Sequence, residues 1–78
     1  MKVLIAKVNE TFYDGDAYSV RVPGSAGEMT ILAEHMPLVT PLKVGTVYVR
    51  AQKDAPEQEF MVISGIVEVH SGGVTVLL

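Results

Sequence analysis

The side chains that could do chemistry in this chain are few, and their spacing suits none of the usual reactions. His35 has Glu34 beside it, and His70 stands far along the chain next to Ser71-Gly72-Gly73. Two histidines without cysteines or a spaced carboxylate pattern fall short of a metal-ligand set. Ser19, Ser25, Ser64 and Ser71 lack the strand-to-helix Gly-x-Ser-x-Gly elbow of a nucleophile. Ser64-Gly65 comes nearest, and it reads better as a bend between strands where glycine admits a bulge or the close approach of another backbone. Glu10, Asp14 and Asp16 surround a turn, but the run of oxygen ligands ending in a bidentate glutamate that a calcium loop needs is absent, so they read as a solvated loop. Gly24-Ser25-Ala26-Gly27 is followed by neither a lysine nor a helix start, so no helix dipole would back its N–H groups against a phosphate. Catalysis by this chain alone is not expected, and no cofactor-binding or metal residue is assigned.

Lys43 raises one rival of another class. Swinging-arm carrier domains are small and all-β, and they present a lysine for biotin or lipoate at a hairpin tip. Here Leu42 and Val44 flank the lysine and Pro41 stiffens the approach, in place of the Met-Lys-Met or Asp-Lys-Ala setting of those domains.

The elements that would carry these residues are strands. Segments of four to eight residues rich in β-branched side chains alternate with breaks at Asp14-Gly15, Pro23-Gly24, Gly45, Asp54-Ala55-Pro56 and Ser71-Gly72-Gly73. That spacing predicts an all-β sandwich or barrel. The expected strands cover residues 3–8, 12–13, 17–22, 27–32, 38–42, 46–51, 57–64, 66–70 and 74–78, mostly antiparallel, with no helix. Pro23-Gly24 is expected to stop a strand with a turn whose glycine tolerates positive φ, and Gly27 to let the chain re-enter an extended segment. Alternation puts Val47, Val49 and Ala51 on one face against Tyr48 and Arg50, and Val20 and Val22 against Ser19 and Arg21. Val3-Leu4-Ile5-Ala6 and Phe60-Met61-Val62-Ile63 are apolar on both faces. A domain this small has no second layer for the outer side, so these strands read either as a protein interface or as strands enclosed within the sandwich.

Composition sets the limits. Seventy-eight residues make one domain, residues 1–78, with one small core, because a chain this short buries only about 60% of the surface it exposes when unfolded. Apolar residues make up 49% but aromatics only 6%, so the core must be built from valine, leucine and isoleucine. Without cysteine there is no disulfide to help. The apolar start Met1 to Ala6 ends at Lys7, too short for a signal peptide and read as the first strand. No run approaches the length of a membrane-crossing helix, so no direct membrane insertion is expected. Six basic against nine acidic residues, a net charge of −3, argue against nucleic acid and anionic lipid as partners.

One ordered series is more specific than any of its parts. Val22-Pro23-Gly24, then Gly27-Glu28-Met29-Thr30-Ile31-Leu32, then His35-Met36-Pro37-Leu38, together with Val62 to His70 and the closing Val74-Thr75-Val76-Leu77, resembles the amino-terminal domain of the epsilon subunit of rotary ATP synthases, called delta in mitochondria. The likeness runs the length of the chain. It implies a small, flattened two-sheet β-sandwich that does no catalysis. Such a domain sits on the central stalk as a rotor part, with one face against the gamma subunit and the loops at one end against the ring of c subunits, coupling proton or sodium flow to ATP synthesis. It also implies a place peripheral to the bacterial inner membrane on the cytoplasmic side, or the equivalent matrix or stromal side. By position, Glu28 matches the acidic residue of the loop that faces the c ring, and His35, Thr40 and Lys7 match positions near gamma. Uncovered apolar strands would let the isolated domain self-associate.

The pattern is not met everywhere. The family commonly has glycine where Thr30 stands, proline-glycine where Ala33-Glu34 stand, and a second glycine where Ile66 follows Gly65. Full-length members continue past the equivalent of Leu78 into a pair of helices that restrain ATP hydrolysis. The resemblance therefore implies an excised domain or a short member, with neither that brake nor a nucleotide site. The alternative reading that the residues leave open is a generic β-sandwich interaction module.

Overall fold

Period-two alternation of valines with polar residues shapes the whole chain. The computed structural model describes residues 1–78. Its regular elements are nine strands: β1 (Lys2–Lys7), β2 (Glu10–Asp16), β3 (Ser19–Gly24), β4 (Gly27–Leu32), β5 (Leu38–Leu42), β6 (Gly45–Arg50), β7 (Glu57–Val62), β8 (Gly65–His70) and β9 (Gly73–Leu77). One layer runs β2-β1-β9-β8-β5, and the other has β3 between β4 and β6 with β7 beyond. A single register pair, Gly24 with Leu42, carries hydrogen bonding from one layer to the other. Ser25 N–H donates to the Pro41 carbonyl and Lys43 N–H to that of Pro23, both at 2.9 Å, and these bonds pin the same corner. Every pairing is antiparallel except β1 with β9.

Between the layers lies a core made almost wholly of β-branched side chains, including Val3, Ile5, Val20, Val22, Ile31, Val47, Val49, Val62, Val67, Val74 and Val76. No polar or charged residue is buried with them. Stiff branched side chains on pleated backbone fill this space with little rotamer entropy to lose. The expected alternation holds where the strands are most regular: Val47 and Val49 are buried while Tyr48 and Arg50 are not, and Val20 and Val22 contrast with Ser19 and Arg21 in the same way. Ala51 lies just past the end of β6.

Of the two strands that read as apolar on both sides, β1 buries Val3 and Ile5 and leaves Leu4 and Ala6 half-covered. In the other, Val62 is buried, while Met61 and Ile63 stand in the open. The layers' free edges at β2 and β7 meet through rings, with Phe12 and Phe60 centroids 6.5 Å apart and Tyr13 edge-on to Phe60 at 6.3 Å.

Several boundaries differ from the sequence reading. β3 continues through Pro23 and Gly24, and the turn falls on Ser25-Ala26. Positive φ belongs to Gly27 (139°), not Gly24. Asp14-Gly15 is no break: β2 runs through it, and its register irregularity against β1 falls at Ile5/Ala6. The β1–β2 turn is at Val8-Asn9, and β7 stops at Val62, two residues early. Gly65 does take a close backbone approach, because a Cβ there would lie 2.5 Å from the Leu77 carbonyl oxygen.

Candidate functional site

Register sorts the connections into two ends. Gly24 lies beside Leu42, Leu42 beside Gly65, Ile66 beside Leu77, and Leu77 beside Ala6. The turns Val8-Asn9, Ser25-Ala26, Lys43-Val44 and Ile63-Ser64 therefore share one end, and each is two residues long. The opposite end holds Ala17-Tyr18, the connection 33–37, the connection 51–56 and Ser71-Gly72.

Glu28, expected in a loop, is the second residue of β4, one step from the Ser25-Ala26 turn at the four-turn end. It faces outward and is not free. Arg21, on the diagonal across the β3–β4 pair, brings Nη1 to 3.8 Å from its Oε1. The other guanidinium nitrogen of Arg21, Nη2, donates to both carboxylate oxygens of Glu57 at 3.1 and 3.3 Å. Arg50 Nη2 lies 3.7 Å from Glu57, and its Nη1 donates to the Ala55 carbonyl at 2.6 Å. The Arg21 guanidinium also rests 4.1 Å above the Tyr48 ring, a cation–π contact. The outer face of β4-β3-β6-β7 is thus a self-paired lattice of charge, with Arg21 Nε as its one buried nitrogen lacking a partner.

Lys7 closes β1 at the four-turn end, pairs with Glu10 at 3.8 Å and sits 5.8 Å from the Phe12 ring centre. Lys43 is exposed in its turn at the same end. His35 lies at the opposite end, in the connection 33–37, with Nδ1 2.8 Å from the Met36 carbonyl oxygen. Its neighbour Glu34 has φ of 68°, the left-handed region that favours glycine, at a position where the resemblance expects glycine. His35 shares a concavity of about 270 Å³ with His70, which bonds Thr75 Oγ1 at 3.1 Å. Thr40 is paired with the fully buried Val67, so it is half-buried on the inner face of β5. The four candidates therefore do not form one site: Glu28 and Lys7 stand at one end, His35 at the other, and Thr40 between them facing in.

Nothing here converges as reacting groups do. No three of the His, Asp and Glu side chains group as a metal site would require. Glu10, Asp14 and Asp16 are strung along β2, not gathered in a loop. The sequence reading placed Arg21 and Arg50 on the outer face but did not anticipate their bonds to Glu57. The signal was present as opposite charges at outward positions, and only the strand order brings them together. What the arrangement offers is mechanical: a dry valine core, a cross-linked outer face and an end of short turns.

Comparison with known proteins agrees with this architecture. The family model described as ATP synthase, Delta/Epsilon chain, beta-sandwich domain, matches residues 1–78. A similar curated relative, the ATP synthase epsilon chain of Herminiimonas arsenicoxydans, is 38% identical over 77 residues; the match covers 99% of this chain and 55% of the relative. This chain thus spans about half the length of that relative. Among solved structures, a chain of the Euglena gracilis mitochondrial ATP synthase superposes with a TM-score of 0.85 at 19% identity, over 96% of this chain and 48% of its own. A central-stalk and c-ring structure from Tetrahymena thermophila mitochondria gives 0.77 at 13% identity, over 99% and 63%. At such identities these two speak for the fold.

Proposed function

Since this chain belongs to the ATP synthase delta/epsilon family, as its β-sandwich domain, we propose that it is a non-catalytic part of the central stalk, joining the gamma subunit to the c ring of a proton- or sodium-driven synthase. The observation that carries this reading is the family match over the whole chain, on a body built for stiffness. Torque passing between ring and shaft needs an adaptor that does not yield, and a valine core at crystal-like density with cross-linked faces is such an adaptor. Its place is peripheral, on the membrane face where the catalytic head lies; no helix is long and apolar enough to cross a membrane.

Within this reading Glu28 stands at the end that meets the ring, and His35 at the end away from it, beside gamma. Lys7 lies at the ring end, so a gamma contact by Lys7 would be made at that rim. Thr40 acts through packing, because its side chain faces inward. A stable contact buries on the order of 1,200–2,000 Å² summed over both partners, and the exposed Met61 and Ile63 with the half-covered Leu4 offer apolar surface to it.

The test is reconstitution. The chain should co-purify with gamma, and the pair should hold the c ring more tightly than gamma alone. Glu28→Lys should weaken that attachment while leaving the domain folded. Failure to bind gamma would return the chain to the class of generic interaction modules.

A further inference from the structure

Arg21 and Glu28 form a pair whose two members are held to different degrees. The guanidinium is fixed from several sides: Nη2 donates to both oxygens of Glu57, the plane lies 4.1 Å above the Tyr48 ring, and Nε is buried. The carboxylate has one partner in the domain, Arg21 Nη1 at 3.8 Å, an ion pair too long for a hydrogen bond. Pro23, which stands directly opposite Glu28 across the β3–β4 pair, has no donor to offer it. A fixed cation thus faces a tethered anion whose side chain is 57% exposed. Register gives the direction of the tether. Arg21 pairs with Thr30, two residues from Glu28 on the side away from the Ser25-Ala26 turn, so its pull is back over the sheet and not out past the turn.

We infer that Arg21 is an internal competitor for Glu28: it sets how readily a partner can take this carboxylate, with Glu57 setting the strength of the competition. The inference rests on the stalk function proposed above, in which that partner is the c ring, and concerns two residues to which the family resemblance gives no role. A cationic group or N–H donor of the partner must draw Glu28 off Arg21 and, if charged, is itself repelled by the guanidinium. The exchange costs little, because an exposed pair at this length is weak. It also leaves no orphan charge, because Arg21 keeps Glu57 and Tyr48. Glu57 shares the guanidinium charge, and once Glu57 is neutral more of that charge acts on Glu28. The opposite arrangement, in which Arg21 holds Glu28 ready for its partner, is disfavoured by geometry. A single contact of 3.8 Å without a hydrogen bond fixes no orientation for an exposed glutamate.

The experiment titrates immobilised, detergent-solubilised c ring with the complex of gamma and this chain, either unaltered or carrying Arg21→Gln, Glu57→Gln or Glu28→Gln. Arg21→Gln and Glu57→Gln break the same bond, so a merely structural role moves ring affinity in the same direction in both. Competition moves it in opposite directions. Arg21→Gln should tighten binding about two- to fivefold, the range that an exposed ion pair carries, and Glu57→Gln should weaken it. In the Glu28→Gln background Arg21→Gln should have no such effect, which separates release of Glu28 from the change in net charge. Weaker or unchanged binding by Arg21→Gln, the same direction in both variants, or an equal gain with Glu28→Gln present overturns the inference and leaves the stalk function standing. A wild-type complex that binds the ring no better than gamma alone overturns both.

Discussion

Arg21 on β3 donates to Glu57 on β7 at 3.1 Å, reaching past the full width of β6. The two residues are thirty-six positions apart in sequence, and the bond ties together strands that share no backbone pairing. Both side chains are about one-third exposed, so the tie is worth less than a buried pair.

Arg21→Met should therefore cost only about 1 kcal/mol in urea denaturation. A double-mutant cycle with Glu57→Gln should attribute most of that loss to the pair. Arg21→Lys should restore less than half of it, because one ammonium cannot reproduce a guanidinium that serves Glu57 and Glu28 from different nitrogens. Full rescue by lysine would show that charge alone matters.

Glu34→Gly should stabilise the domain by about 1 kcal/mol, since φ of 68° strains a side-chain-bearing residue and not glycine. Thermal melting of the two proteins side by side decides the sign. A lower melting point for the glycine variant would mean that unfolded-chain entropy outweighs the strain.

Gly65→Ala should destabilise by about 1–3 kcal/mol, because the new methyl would overlap the Leu77 carbonyl and push β9 from β8. Amide exchange across the β8–β9 pair should accelerate before the rest of the sheet. An unchanged denaturation midpoint would show that the backbones can part at no cost.

Val62→Asp should abolish folding outright. The side chain is 1% exposed within a purely apolar core. Burying a carboxylate there costs several kcal/mol, comparable to the roughly 5–15 kcal/mol that holds a whole domain. Circular dichroism of the variant should lack the sheet signal at room temperature.

Much of this fold was legible because strand alternation follows from backbone geometry alone. Val20, Val22, Val47 and Val49 fall inward on that ground, and the nine segments follow from the turn residues between them. Punctuation was read less well. Gly24 and Gly15 look like turn residues, yet both lie within strands, and at Gly24 the β3–β4 hairpin closes so tightly that a Cβ would sit 2.7 Å from the Gly27 carbonyl oxygen. The Arg21–Glu57 lattice and the sharing of one end by Val8, Val44 and Ile63 were out of reach, because both depend on strand order, which no local pattern encodes. Thr40 shows the converse: matching a motif position says nothing about which face the side chain takes.

β1 lies between β2 and β9, parallel to the latter, so Val3 neighbours Val74 and Ile5 neighbours Val76. The first strand of the domain therefore stays uncovered on its inner flank until the ninth has formed. Refolding of this domain should be limited by closure of a very long loop. Until that closure the apolar run Val3-Leu4-Ile5-Ala6 has water where Val74 and Val76 will lie.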